Sequence, residues 1–456
     1  MAGEWKETTI GEHVELATGE AFQSARFGTI PDSGTLLARG DNVKEGEFEW
    51  GEKARYWPEL TPDLERHLLR EGDVLLGMDG SKVGKNWVRV RQKDLPCLLV
   101  QRVARLRAKR TMDQGFLRYL IGNPRFRDYV AQVRTGTSIP HISGGQIKSY
   151  EILLPPLAEQ RAIAGVLGAL DDKIELNRRM NATLESMARA LFQSWFVDFD
   201  PVRAKLDGRK PVGMDEATAA LYPHSFQDSE LGPIPKGWRV AVLDELIKFV
   251  IGGDWGVTGP TDDETISCYC IRGADIPSLQ SGGVGKMPTR FLKRSSVEKR
   301  KLEDGDLAIE ISGGSPTQST GRPVLASDAL LQSLGRPLVA SNFCRIVKLK
   351  SSAYSKFVYL WLRRLYDAGE LLQFENGTTG IKNFAFVIFS ERYLLVVPDL
   401  RVSEAFDRAV SPFFARIQAN SQESRTLATL RDSLLPKLLS GELSVDHVSA
   451  IGSEVL

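Results

Sequence analysis

Between Glu159 and Trp195, the residues Ile163, Leu167, Leu170, Ile174, Asn177, Asn181, Leu184, Ala188, Leu191 and Trp195 follow one another at alternating steps of four and three. This is the heptad spacing of a helix that buries one stripe against a partner helix. Asn177 and Asn181 interrupt the apolar line, while Arg161, Asp172, Lys173, Glu175, Arg178, Arg179 and Glu185 occupy outward positions, as a partly solvated helix needs. Such a stripe requires a cover, and the chain supplies one. Moving every seam position on by 243 gives Phe406, Val410, Phe413, Ile417, Asn420, Ser424, Leu427, Arg431, Leu434 and Leu438. The polar step recurs, with Asn177 mapping onto Asn420. Arg431 alone fails as an apolar match, and the adjacent Leu430, equivalent to Met187, is expected to make the contact there.

The duplication is wider than the helices. Trp5-Lys6 precedes Trp238-Arg239 by 233 positions, as Arg39-Gly40 precedes Arg272-Gly273 and Gly72-Asp73-Val74 precedes Gly305-Asp306-Leu307. Farther on, Phe116-Leu117 matches Phe357-Val358 and Gly136-Thr137 matches Gly377-Thr378 at 241, and Arg102-Val103 matches Arg345-Ile346 at 243. The second copy is therefore expected to hold about ten extra residues in the Gly/Ser-rich loop Ser312 to Arg322. In each copy a globular unit of short strands and helices runs into a long helix. Residues 1–157 form the first unit, 158–199 its helix, 236–400 the second unit, 401–442 the second helix and 443–456 a tail. Residues 200–235 hold five prolines and read as a linker without regular structure, except for a short helix near Asp215 to Leu221. The expected class is α+β: two α/β units joined by an antiparallel helix pair, with an internal pseudo-two-fold.

Four cysteines and five histidines are scattered without C-x-x-C or H-x-x-x-H spacing, so the sequence carries neither a disulfide framework nor a metal motif. No run of about 18 apolar residues and no export signal is visible, which makes the cytoplasm the expected compartment. The net charge of +1 conceals a segregation: Met1 to Asp79 holds 8 basic and 17 acidic residues, whereas Lys82 to Arg134 holds 14 basic and 3 acidic. Basic runs recur at Lys286 to Lys301 and Arg336 to Arg364, and several such runs in corresponding halves fit a polyanion. Catalytic motifs are missing. Gly80-Ser81-Lys82-Val83-Gly84-Lys85 is one residue short of a phosphate loop and Asn86 replaces its hydroxyl residue; Asn123-Pro124-Arg125-Phe126 lacks a methyltransferase loop's second proline; Asp306 with Glu310 lacks the lysine of a nuclease cluster. The remaining polar loops, Gly136-Thr137-Ser138 with His141 and Gly377-Thr378-Thr379 with Lys382 and Asn383, carry donors suited to phosphates or base edges.

Three segments carry a family resemblance: Leu154-Pro155-Pro156-Leu157-Ala158-Glu159-Gln160-Arg161-Ala162-Ile163, Phe196-Val197-Asp198-Phe199-Asp200-Pro201-Val202, and Ser229-Glu230-Leu231-Gly232-Pro233-Ile234-Pro235-Lys236-Gly237-Trp238. With them the chain resembles the specificity subunits of type I restriction-modification enzymes over almost its whole length. In the second copy the first signature has decayed to Val397-Pro398-Asp399-Leu400 with Glu404. The resemblance implies a non-catalytic subunit whose two units each read one half of a split site in double-stranded DNA. It implies two modification subunits methylating adenine with S-adenosylmethionine, and restriction subunits using ATP and Mg. No cofactor is then expected on this chain.

Candidate DNA contacts are Arg39, Lys82, Lys85, Asn86, Arg89, Thr137, Ser138 and His141 in the first unit. In the second they are Arg272, Lys286, Ser315, Gln318, Arg322, Thr378, Lys382 and Asn383. A helix of 37 residues is roughly 55 Å long, so half-sites about one duplex turn apart or slightly more are expected. If the copies obey a two-fold, Asn177 and Asn420 should lie opposite each other and Ile174 should approach Ser424. The competing reading is a coiled-coil scaffold for proteins, which leaves the charge segregation without a purpose.

Overall fold

A computed structural model describes residues 5–136, 138–261, 265–313, 318–377 and 381–445. It divides into two compact units, residues 1–173 with 426–456, and residues 174–425. In the first, Val14–Thr18, Val103–Ala108, Val74–Gly77 and Trp87–Arg89 form an antiparallel sheet in that order. A second sheet orders Tyr56–Trp57, Thr35–Ala38 and Cys97–Leu99, with the last pair parallel. Lys6–Thr9 pairs with Glu151–Leu154 and brings the end of the globular part back to its start.

The second unit repeats this topology strand for strand. Its four-stranded sheet is Ile247–Gly252, Cys344–Leu349, Leu307–Glu310 and Pro323–Leu325; its three-stranded sheet is Thr289–Lys293, Thr265–Ile271 and Leu338–Ala340, again with a parallel last pair; Arg239–Val242 closes on Leu394–Val397. The register relocates the insertion. Leu76 pairs with Trp87 and Ala104, and its counterpart Ile309 pairs with Pro323 and Arg345, so the offset climbs from 233 to 236 and then to 241. Three extra residues lie before Pro323 and five after it, where the helix Asp328–Leu334 stands. The expected ten-residue enlargement of Ser312 to Arg322 and the offset of 243 at Arg102 are corrected accordingly. The likeness of Arg102-Val103 to Arg345-Ile346 spans a helix that stands between the equivalent strands of the second copy.

The predicted break at Asn123-Pro124 separates the helices Gln114–Gly122 and Pro124–Val133; the Asn123 side chain accepts from the Arg125 N–H, and Pro124 needs no donor in a first turn. Residues 200–235 are more ordered than their prolines imply. Asp200–Leu206 is a helix with Pro201 in its first turn, and Phe226–Gln227 pairs with Ile234–Pro235. Phe199, Tyr222 and Trp238 pack edge-on or tilted against Trp195, Phe196 and Phe226, so aromatic burial holds this stretch.

The long helices run Leu157–Phe196 and Leu400–Ser440. In the first unit Ile163 and Leu167 share a core with Leu435 and Leu438. In the second, Ala188, Trp195, Phe406 and Val410 share another, with Leu191 and Phe413 packed on it. Leu170, Ile174, Leu184, Leu427 and Leu434 are half-buried, and Ile417 is buried. Met187 and Leu430 are exposed, so Leu430 does not replace Arg431. Arg431 instead pairs with Asp171 at 2.7 Å, and Asp171 also takes Arg118 and the Tyr119 hydroxyl.

At the polar step, Asn177 donates to the Asn420 carbonyl at 3.2 Å and to Ser424 Oγ at 3.3 Å, while the Asn420 amide donates to Asn181 Oδ1 at 2.9 Å. Asn177 with Ser424 and Asn420 with Asn181 map onto each other by the 243 shift. The local two-fold of the helix pair in this unit therefore passes between Asn177 and Asn181. It does not make Asn177 face Asn420 side chain to side chain, and Ser424 meets Asn177 where Ile174 was expected. In antiparallel packing a knob inserts between partner residues, which moves the axis half a turn along.

Gln160 explains why its signature is local. Fully buried, it accepts from the Asp113 N–H at 2.9 Å and donates to the Thr111 and Pro155 carbonyls, fastening the helix start to the globular part. Its counterpart Ser403 is buried with an unpartnered hydroxyl. Among the described residues no group of three or more His, Cys, Asp or Glu is placed to hold a metal ion, and no helix is long and apolar enough to cross a membrane.

Candidate nucleic-acid interface

In the first unit two loops are bonded side by side. Thr135 and His141 exchange backbone hydrogen bonds at 2.9 and 2.8 Å, Asp79 bridges to His141, and the Gly80 N–H donates to the Pro140 carbonyl at 2.9 Å. Gly80 (φ +93) and Gly84 (φ +83) provide the left-handed turns that lift Lys82 and Lys85 into solvent, while buried Val83 anchors the loop. Asp79 is also within 3.8 Å of Arg102 and lies beside Gly40 in the Arg39 turn. Lys82, Lys85, Ser138 and His141 are exposed here, and Arg39 stands half-buried, paired with Asp41 at 2.8 Å. Asn86 is half-buried, and its carbonyl closes the strand pair on the Gly77 N–H. Arg89 belongs elsewhere: its strand face packs on Gln114–Gly122, where its charge acts on Arg118 and Tyr119. Strand alternation turns it away from the loop that precedes it.

The second unit builds the same arrangement with more pairing. Ser312–Gly313, Lys382–Phe384 and Glu375–Asn376 form a small sheet in which Ser312 and Asn376 both pair with Asn383. This makes Asn383 the counterpart of His141, one of the two residues, Lys382 and Asn383, that the sequence sets against it. Lys286 and Asn383 are exposed, as is Gln318, and Ser312 Oγ donates to Asn383 Oδ1 at 2.8 Å. Lys382 lies 3.5 Å from Glu375. Arg272 is held by Asp275 at 2.9 Å and donates to the Lys286 carbonyl at 2.7 Å, tying two candidate contacts together. Thr137, Ser315 and Thr378 lie outside the described residues.

Arg322, expected among the DNA contacts, is buried. Its guanidinium is buried against Glu310 at 2.7 Å and donates to the Gly273 carbonyl at 2.9 Å. Burial opposes its charge, but the hydrogen bonds and charge of Glu310 outweigh that and raise its pKa. It braces the loops from within. Asp306, read against a nuclease pattern, pairs with Lys348 at 2.8 Å, as Asp73 pairs with Arg107 at 2.7 Å. Both are structural pairs in which an Asp just before one strand meets a cation on the equivalent neighbouring strand.

Two features escaped the sequence reading. Arg102 has a left-handed backbone (φ +69) and a side chain 67% exposed, and its carbonyl accepts from the Met78 N–H. The equivalent carbonyl, which accepts from the Ile311 N–H, belongs to exposed Phe343. A cation in one unit thus stands where an aromatic ring stands in the other. The second feature is an exposed isoleucine in each loop, Ile139 and Ile381. The available signal was an apolar residue inside an otherwise polar Gly-bearing turn.

The family model of the type I restriction modification DNA specificity domain matches residues 3–186. Over 343 residues the chain is 26% identical to the type I restriction enzyme MjaIX specificity subunit of Methanocaldococcus jannaschii, covering 73% of this chain and 70% of that one. It is 25% identical over 352 residues to the HindI specificity subunit of Haemophilus influenzae, covering 69% and 73%. The EcoKI specificity subunit of Escherichia coli is 22% identical, with 96% and 89% covered. By fold, the chain matches the crystal structure of a type I restriction-modification S subunit from M. genitalium with a TM-score of 0.52, at 17% identity and 96% coverage of both chains.

Proposed function

We infer that the chain belongs to the family of type I restriction-modification specificity subunits and is the DNA sequence-recognition subunit of such a complex, reading a bipartite target with its two units. The observation that carries this reading is the pair of equivalent loop faces. The family model covers the first unit and part of its helix, and the second unit repeats that fold with the same loops joined in the same way. A scaffold gives no reason for two such matched faces. Differences between them, Arg102 against Phe343 and His141 against Asn383, support two different half-sites.

Chemistry is assigned to partners. Two modification subunits using S-adenosylmethionine would methylate the target adenines, and restriction subunits using ATP and Mg would cleave unmodified DNA, all in the cytoplasm. This chain contributes recognition and a helical platform. Binding of the purified chain with its modification subunits to duplex DNA, measured across salt concentrations, tests the assignment. Phosphate contacts give a log-log slope near −0.9 per contact, and methylome mapping should return one split motif. A flat salt dependence with no motif would overturn it.

A further inference from the structure

We propose that Ile139 and Ile381 each read the 5-methyl group of a thymine in the major groove of their own half-site. The inference rests on the DNA-recognition reading above. Counted from the bonded residues, both side chains hold one position: each lies two residues before the residue that pairs across the loop, His141 in one unit and Asn383 in the other. In both, a glycine next to the opposite partner packs on the isoleucine carbonyl. A Cβ on Gly136 would lie 2.4 Å from the Ile139 oxygen, and one on Gly377 would lie 2.6 Å from the Ile381 oxygen. The loops have different lengths and sequences, yet this contact and this residue type coincide.

Both side chains point to water, with exposures of 63% and 58%. A single exposed isoleucine needs no explanation, but two at one structurally equivalent point of duplicated loops do. Neither belongs to a buried cluster; Ile142 and Phe384 are the buried residues that follow them in the two units. Backbone pairing flanks both: the Thr135–His141 and Gly80–Pro140 bonds stand beside the first, and the strand pairing of Asn383 with Ser312 and Asn376 stands beside the second. A short branched apolar group next to paired backbone, beside the donors of Ser138 and His141 or Asn383, matches a groove edge offering a methyl next to hydrogen-bonding atoms. Only the major groove offers that combination, through the thymine methyl.

The test uses the assembled complex and its mapped target, with thymines replaced one at a time by deoxyuridine, which removes only the methyl. Wild type should lose roughly three- to fivefold in affinity at one thymine of each half-site, the worth of one buried methyl group. Ile139→Ala should abolish that loss in the first half-site and leave the second alone, and Ile381→Ala should do the reverse. A half-site in which no thymine-to-deoxyuridine replacement weakens wild-type binding, or an isoleucine variant weakened equally on thymine and uracil targets, would overturn the proposal; the second result would assign the side chain to wedging or loop stability. Absence of any sequence-specific binding by wild type would instead remove the functional reading beneath it.

Discussion

A guanidinium with 8% of its side chain exposed, set against a carboxylate with 3%, cannot be deleted without stranding the other charge. Arg322→Ala should therefore cost about 3–5 kcal/mol in denaturant unfolding, whereas replacing Arg322 and Glu310 together by apolar residues of similar volume should recover most of it. DNA affinity should follow folding and not salt. Lys85→Ala should behave oppositely, leaving stability within about 0.5 kcal/mol while lowering the salt slope by about one contact. Burial pushes the Cys344 and Cys270 thiols up to about 12 and Cys268 to about 11. Thiol reagents should consequently react with these residues at neutral pH only as fast as the protein unfolds; rapid labelling of the native chain would contradict the buried placement. At this scale the sequence tells residue types but not neighbours. Lys82 and Arg322 look alike as basic residues near glycines, and only the position of Glu310 across a strand pair separates an exposed cation from an internal brace.

The heptad helices were legible because their signal repeats: ten positions at three-four spacing fix a face without knowledge of anything else. The strand pattern was legible in part, since buried runs such as Val74-Leu75-Leu76 announce themselves, while residues 200–235 gave only their prolines. The pseudo-two-fold was expected from the copies, but its axis was placed at Asn177 because a list of equivalents cannot show how two helices interleave. The observed pairing gives a sharper experiment. Asn181→Leu or Asn420→Leu alone leaves a buried amide group without its partner and should destabilise by about 1–3 kcal/mol, whereas the double variant should be less destabilised than the sum. The same cycle on Asn177 and Ser424 should show coupling of similar sign. Unfolding free-energy changes that add within about 0.5 kcal/mol would mean that the amides do not act as pairs. Gln160→Ala removes three hydrogen bonds at a helix start and should loosen the first helical turns in hydrogen exchange.

Duplication at the level of the molecule separates what must be shared from what is free to vary. The shared parts are the strand order and the paired loops; the free parts are the helix Asp328–Leu334, the residues around Arg102 and Phe343, and the helix-start contacts of Gln160 and Ser403. A chain arranged in this way should exchange its units. Replacing Met1 to Leu154 by the corresponding unit of a relative should change one half-site in the methylome and leave the other intact. Pro155 and Pro156 mark this junction in the sequence, and a boundary crossed by few contacts is what exchange requires. The structure shows which ones do: Gln160 reaches back to Thr111 and Asp113, Asp171 holds Arg118 and Tyr119, and Ile163 and Leu167 share the core of that unit. Hybrids should then succeed or fail by the incoming unit's residues at those places. A donor with a Gln160-compatible turn and a partner for Asp171 should keep Tm within a few degrees, while one lacking both should unfold early, yet with unaltered specificity in the second half-site. A hybrid that folds normally and changes both half-sites would mean that the two units read DNA jointly, and the equivalence of their loops would then reflect common descent without independent recognition.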